Sequence, residues 1–411
     1  MILDISPLLR NRDYRLLYAG QLVSAFGSMI TYVAVPDQIW ELTHSSLAVG
    51  MLGAVQLVPL LLFALLGGAY ADSMDRRKLL VISEVFLALG SLILAVNALL
   101  PRPSVFLVFG VSAAMSALNG FHRPALDALT PRLVNRDDLR AVAALSSLRY
   151  SLSAIAGPAL GGFLIGRLGI SSTYWIDFLT FLISIASLAA IRKMPPPEGH
   201  KPGLTSILEG LRYARSRPEL IGTYVVDMVA MTFAMPMALF PSMSENWGGA
   251  QSLGWLYSAM AMGFLASTLI SGWSRKVERH GVAVIAGATV WGIAIVGLGF
   301  AQGLLSALLC LALAGAGDNV SAIFRGTIWN ETIPGDLRGR LAGVEMISYL
   351  SGPLIGNVRA GWVASMSSNR VSIVSGGFVC IAGILLCIPL LPAFWRYRRS
   401  STAAAEQVQR V

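Results

Sequence analysis

The chain has 411 residues, 55% of them hydrophobic and only 13% charged, and its mean hydropathy of +0.66 implies more apolar surface than a soluble protein of this size can hide. A formal charge of +9 would suit nucleic acid if it formed one polar face, but the basic residues lie in short clusters between apolar runs, as membrane orientation requires. No nucleic-acid partner is expected, and Cys310, Cys380 and Cys387, which form no CxxC pair, read as small buried hydrophobes.

The segment from Met1 to Leu17 is a basic, amphipathic entry to a first apolar run at about 16–40. No cleavable leader is expected, because that run follows Arg10, Arg12, Asp13 and Arg15 and flows into a polar WELTHSS stretch. Further runs at about 47–71, 79–99, 104–123, 142–166 and 173–191 are each long enough as helices to cross a hydrocarbon layer about 30 Å thick. The fourth is expected to be stopped by the prolines of FHRPALDALTPRLVNRDDLR. From Arg192 to Glu219 the chain turns polar and basic, with a periodic stretch suited to lie along a membrane surface. Six more runs follow at about 220–243, 253–273, 281–300, 303–324, 341–365 and 371–392, then a basic tail. The predicted fold is an all-α membrane protein of twelve transmembrane helices in two pseudo-symmetric six-helix bundles. Its parts are an N-terminal bundle (1–191), a cytoplasmic linker (192–219), a C-terminal bundle (220–395) and a cytoplasmic tail (396–411).

Orientation follows from the basic residues. With a cytoplasmic amino terminus, 24 of the 31 fall in inner loops and tails, three (Arg102, Arg167, Arg370) fall outside, and Arg123, Arg149, Arg325 and Arg359 lie within or at the ends of spans. Both termini are therefore predicted to be cytoplasmic, with an even number of spans between them.

The halves also repeat. Arg123 pairs with Arg325, Pro131 with Pro334, Asp138-Leu139-Arg140 with Asp336-Leu337-Arg338, and Gly157-Pro158 with Gly352-Pro353. Both copies follow the fourth span of their half, the arrangement of a transporter whose halves rock about a central cavity.

Three constellations are candidates for function. The turn GGAYADSMDRRK between the second and third spans carries Gly68, Asp72, Asp75, Arg76 and Arg77, and its side chains are suited to hold helix ends in one conformational state. In the fifth span, Ser153, Gly157, Pro158, Gly161 and Gly162 let a neighbouring helix pack closely, with a proline kink at the centre. Membrane-embedded charges cost several kcal/mol unless paired or wet. Arg149, Asp227, Asp318, Glu345 and Arg359 are therefore candidates for substrate or proton contacts, with helix pairing the alternative for each. Glu84 and Glu331, nearer the inner face, read as interfacial. Methionines 228, 231, 235, 237, 243, 260 and 262 offer soft surface for a bulky aromatic solute, or plain packing. No HExxH, Cys/His ligand set, GxxxxGK[ST] or GxSxG occurs, so neither a metal site, a nucleotide engine nor an enzyme is read here, and no cofactor is expected.

Gly68-xxx-Asp72-xx-Asp75-Arg76-Arg77 resembles the loop signature of the major facilitator superfamily, with Ser73 where a basic residue is usual and Asp75 where glycine is common. Its second-half counterpart, Gly272 to Arg279, is degenerate, which argues against a symmetrical pair of gates. The fifth-span stretch resembles the motif of the superfamily's proton-coupled exporters, with Ser153 for a glycine. The opening RNRDYRLLYAGQ, the AYADSMDRRKL turn and FHRPALDALTPRLV look like the superfamily's siderophore-exporting branch. That resemblance implies a monomeric inner-membrane transporter, in contact with membrane lipids, that moves enterobactin or a related catecholate siderophore to the periplasm on a proton gradient, in cooperation with an outer-membrane efflux channel. It would make Arg149 and Arg359 cavity residues and Asp227 and Asp318 protonation sites. A multidrug proton antiporter is the alternative; a membrane receptor or scaffold fits the buried charges less well.

Overall fold

The computed structural model describes residues 4–73, 75–192, 212–334 and 338–398, with backbone alone at 64–73, 338–340 and 342–347. Among these residues every regular element is helical. A short α1 (Ser6–Arg10) precedes α2 (Arg12–Thr43), α3 (Ser46–Ser73), α4 (Arg76–Leu99), α5 (Val105–Leu129) and α6 (Leu139–Ala189). The later helices are α7 (Pro218–Ala234), the short α8 (Phe240–Ser244), α9 (Ala250–Leu269), α10 (His280–Gly299), α11 (Leu304–Thr332), α12 (Arg338–Met366), α13 (Asn369–Leu390) and the short α14 (Pro392–Trp395). Within α6, Gly169 adopts φ 80° and ψ 166°, a conformation that a side chain would strain, and divides the helix into two arms. With those arms counted separately, the described residues contain twelve long helical segments. Nine of the helices are long and apolar enough to cross a membrane.

Helix starts follow local chemistry. Asn11 accepts from the Tyr14 amide to open α2, Asp75 from the Arg77 and Lys78 amides to open α4, and Ser104 and Ser368 cap α5 and α13. Two expectations need correction. The fourth span does not stop at 123: α5 carries Pro124 inside it and ends at Leu129, before Thr130-Pro131. The seventh span is not continuous to 243. It breaks after Ala234, where Met235 precedes Pro236 and is extended (φ −81°, ψ 117°), as sterics before proline favour. The Ala238 amide beyond the break donates to Asn357 Oδ1 at 3.1 Å.

Burial is the reverse of a soluble protein's. Phe106, Leu305, Leu390 and Phe378 face outward, while Glu84, Asp177, Ser91, Thr173 and Ser372 have no exposure at all. An apolar exterior around hydrogen-bonded polar groups is the solution lipid imposes.

The chain forms two compact units, Met1–Gly203 with Phe240–Ser258, and Leu204–Leu239 with Ala259–Val411. In the first, α2 packs on α6, α3 on α5, and α4 on both α5 and α6. In the second, α7 packs on α12 and α13, and α10 on α11 and α13. The packing of α4 on α5 and α6 in the first unit is matched by that of α10 on α11 and α13 in the second. The first unit has a core of Tyr14, Leu17, Leu79, Leu80, Leu129, Leu145, Leu188 and Ile191 beside the α3–α4 turn. The periodic stretch of the linker, 204–220, lies outside the described residues as far as 211.

Candidate functional site

The charged turn works through helix ends. Asp75 is committed to capping α4. The Arg76 guanidinium donates to the Ala128 carbonyl at 2.9 Å, and Arg77 donates from Nε to the Leu188 carbonyl at 2.8 Å and from Nη2 to the Ala189 carbonyl at 2.6 Å. Ala128 lies in the last turn of α5, and Leu188 and Ala189 end α6. The two arginines thus supply donors to carbonyls that a helix terminus leaves without partners, where the helix dipole also favours a cation. The side chains of Gly68 and Asp72 lie outside the described residues. In the second-half turn, Ser271–Lys276 forms a 3-10 helix, and among the described residues Arg275, Lys276 and Arg279 have no bonds to helix-end carbonyls like those of Arg76 and Arg77.

In α6 the small residues lie against neighbouring helices. A Cβ on Gly157 would run into Met29 of α2, and one on Gly161 would stand 3.2 Å from the Ile30 Cα. The next turn serves a different neighbour: a Cβ on Gly162 would collide with the Ala250 carbonyl and lie 2.8 Å from the Gly254 nitrogen of α9. Ser153 donates to the Arg149 carbonyl at 2.9 Å, one turn back along its own helix. The second half repeats the first contact. A Cβ on Gly352 would lie 2.8 Å from Met231 Cβ on α7, and one on Gly356 would stand 2.7 Å from Met235 Cβ, just past the end of α7. Met231 and Met235 are buried there, so the methionines fill grooves that these glycines open rather than lining a soft surface.

The second unit holds an ion cluster in which Arg325 of α11 binds Asp227 of α7 through Nη1 and approaches Asp318, two turns back on its own helix, at 3.5 Å through Nη2. Two carboxylates share one guanidinium, with side-chain exposures of 9% for Asp227 and 26% for Asp318, so Asp318 is the wetter acid. Arg359 is occupied elsewhere: its Nη1 donates to the Ser372 carbonyl at 3.0 Å, and Gly376 leaves room for the guanidinium, since a Cβ there would lie 2.6 Å from Nη1.

The first unit holds two fully enclosed carboxylates. Asp177 accepts from Thr31 at 2.5 Å, Ser91 at 2.7 Å and Thr180 at 3.4 Å. Glu84 Oε1 accepts from Gln21 Nε2 at 2.5 Å and Ser184 Oγ at 3.0 Å, and faces His122 Nε2 at 3.2 Å. Arg149 has Tyr14, Tyr18, Asp127 and Arg123 as its electrostatic neighbours. Outside the spans, Arg192 donates to the buried Asp13 at 2.8 Å, and this bond raises the arginine's pKa. Among the described residues no group of three or more His, Cys, Asp or Glu side chains is arranged to hold a metal ion.

The profile of the family described as "Transmembrane secretion effector", a branch of the major facilitator superfamily, matches residues 4–407. The chain belongs to this family. Curated relatives of this secretion-effector chain include the Enterobactin exporter EntS of Shigella boydii serotype 18, 27% identical over 394 residues and covering 95% of this chain and 94% of the relative. The protein of the same name from Escherichia coli O1:K1 / APEC is 26% identical over 393 residues, covering 95% and 94%. Among solved structures, a POT family transporter in complex with 5-aminolevulinic acid superposes with a TM-score of 0.74 at 12% identity, covering 93% of this chain and 97% of that one. A bacterial homologue of the iron transporter ferroportin, in an inward-facing state, superposes with a TM-score of 0.69 at 15% identity, covering 93% and 98%. This secretion-effector chain is therefore a multi-pass membrane transporter with the all-α fold of its superfamily, and not an enzyme.

Of the residues singled out from its sequence, Asp227 and Asp318 come together on Arg325, which had been noticed only as part of the repeat. Arg149 and Arg359 lie among unrelated neighbours in different units. The Glu345 side chain lies outside the described residues. Glu84 is fully buried rather than interfacial, and His122 is its partner. The missing signal was phase: Glu84 lies two turns beyond the charged end of α4, on the buried face with Leu80, Leu87 and Ser91.

Proposed function

We propose that this transporter is a proton-driven exporter that carries a catecholate siderophore of the enterobactin type from cytoplasm to periplasm across the bacterial inner membrane. The observation that carries the reading is the near full-length similarity to proteins named enterobactin exporter, with about the same share of both chains aligned. Physical chemistry supports it. A catechol is an aromatic ring that gains negative charge on deprotonation, and an arginine set among tyrosines offers such a ring both an ion pair and stacking surface. Arg149 with the partly buried Tyr18 near it is that combination, and we assign it the first contact with substrate. The Asp227–Arg325–Asp318 cluster is the second contact, where a phenolate competes with a carboxylate for the shared guanidinium. Glu345 is retained as a candidate contact on α12, whereas Arg359 is assigned a helix-tying role through the Ser372 carbonyl.

In the cycle, Gly68, Asp72, Asp75, Arg76 and Arg77 gate one face by binding and releasing helix ends, and Ser153, Gly157, Pro158, Gly161 and Gly162 form the close-packing face of α6. Both termini are cytoplasmic, in line with the distribution of basic residues. Two bundles, 1–191 and 220–395, joined by the linker 192–219 and followed by the tail 396–411, suffice as a monomer in contact with lipid. An outer-membrane efflux channel completes the route out of the cell. The test is chromatography of the medium of iron-starved cells. Deleting the gene, with redundant exporters removed, should abolish intact siderophore while fragments persist, and the wild-type gene should restore it. Unchanged secretion of intact siderophore would refute the assignment.

A further inference from the structure

The two enclosed carboxylates of the first unit are not equivalent. Asp177 has hydroxyl donors on both oxygens. Glu84 gathers its contacts on Oε1, while Oε2 is buried without a hydrogen-bond partner among the described residues. A buried carboxylate oxygen without a donor is costly when the group is ionised and much less so when it is neutral. The four residues at this point come from four helices: Gln21 from α2, Glu84 from α4, His122 from α5 and Ser184 from α6.

We propose that Glu84 and His122 form the proton-binding site of this transporter, a pair that holds one exchangeable proton and ties it to the packing of four helices. This rests on the proton-driven reading above. His122 keeps 14% side-chain exposure and Glu84 none, so the imidazole is the more accessible member of the pair. A proton taken from water makes the ring an imidazolium, whose Nε2–H donates to Oε1. Transfer across 3.2 Å leaves a neutral ring and a carboxylic acid. The acid is a weaker acceptor for Gln21 and Ser184 than the carboxylate was, so loading the proton loosens α2 and α6 from α4.

Other ionisable groups are placed differently. On α2, Asp13 is bound by Arg192, and Tyr14 and Tyr18 lie with Arg149. On α5, Arg123 and Asp127 follow His122, and Asp127 belongs with Arg149 of α6. From Ser46 to Phe63, α3 has no ionisable side chain, and Arg76, Arg77 and Lys78 of α4 lie at its start. His122 is thus the titratable group in contact with Glu84.

The test has two arms on the full-length purified protein, wild type, Glu84→Gln and His122→Gln. In the first, infrared difference spectroscopy follows the carboxylic-acid carbonyl band during a pH titration without substrate. The expected result is a titrating band that Glu84→Gln removes and His122→Gln shifts in midpoint; a band unchanged in both variants would overturn the site. In the second, vesicles containing each protein are given enterobactin under a pH gradient, and separately under equal pH with enterobactin on both sides. Glu84→Gln should lose gradient-driven accumulation to the level of protein-free vesicles yet keep exchange within about twofold of wild type. Gradient-driven accumulation that survives in Glu84→Gln would overturn the proposal, as would equal loss of accumulation and exchange in both variants, the mark of a purely structural role. If wild-type vesicles move no enterobactin, the substrate assignment fails and the infrared arm alone decides the proton site.

Discussion

Arg77 closes α6 onto the start of α4 by donating to the carbonyls of both Leu188 and Ala189, at 2.8 and 2.6 Å. Two parallel donors from one planar group suit a guanidinium and not an ammonium. Arg77→Lys should keep the charge yet lose one of the two bonds, about 1 kcal/mol on a half-exposed group and so about a five- to tenfold slower transport rate at normal membrane abundance. Initial transport rates normalised to protein in the membrane check this.

Gly162 and Gly166 provide an internal control. A Cβ at 162 meets backbone of Ala250 and Gly254, which cannot rotate away, whereas one at 166 meets only the Gln251 side chain at 3.4 Å. Gly162→Ala should therefore destabilise by about 1–3 kcal/mol and Gly166→Ala by little. Thermal unfolding in detergent should rank them in that order.

Arg325 serves two acids, so its loss leaves two carboxylates without their cation, whereas loss of Asp227 leaves the arginine one acid. Arg325→Gln should be the most damaging change, about 3–5 kcal/mol, followed by Asp227→Asn and then Asp318→Asn, whose side chain is the most exposed of the three. Folded yield after solubilisation and subsequent unfolding scans would reveal the order.

Asn357 receives the Ala238 amide just past the break in the seventh span. Asn357→Ala should cost about 1–2 kcal/mol, while Asn357→Gln retains a neutral acceptor and should cost less. Comparing the two variants by thermal unfolding isolates the acceptor.

The fold was legible because lipid makes apolar length the dominant signal, and the repeat was legible in Gly157-Pro158 and Gly352-Pro353, whose glycines pack on α2 and α7 respectively. Prolines were less informative: Pro124 and Pro158 sit inside α5 and α6 without stopping them, while Pro236 follows the break in the seventh span. Buried partners were the least legible. Glu84 and His122 are 38 positions apart, and Asp227 and Arg325 are 98 apart, so only the packing of the helices brings each pair together. Asp227 drew attention because it interrupts an apolar run; Glu84, near a charged turn, was hidden by its neighbours in sequence.

The most direct test of the exporter assignment is uptake of labelled enterobactin by vesicles containing only this protein, with a pH gradient imposed in either direction. Accumulation against its own gradient, in the sense that exchanges inward protons for outward siderophore and collapsed by a protonophore, is the predicted result. Vesicles that pump an unrelated cationic drug under the same gradient but leave enterobactin at equilibrium would contradict it.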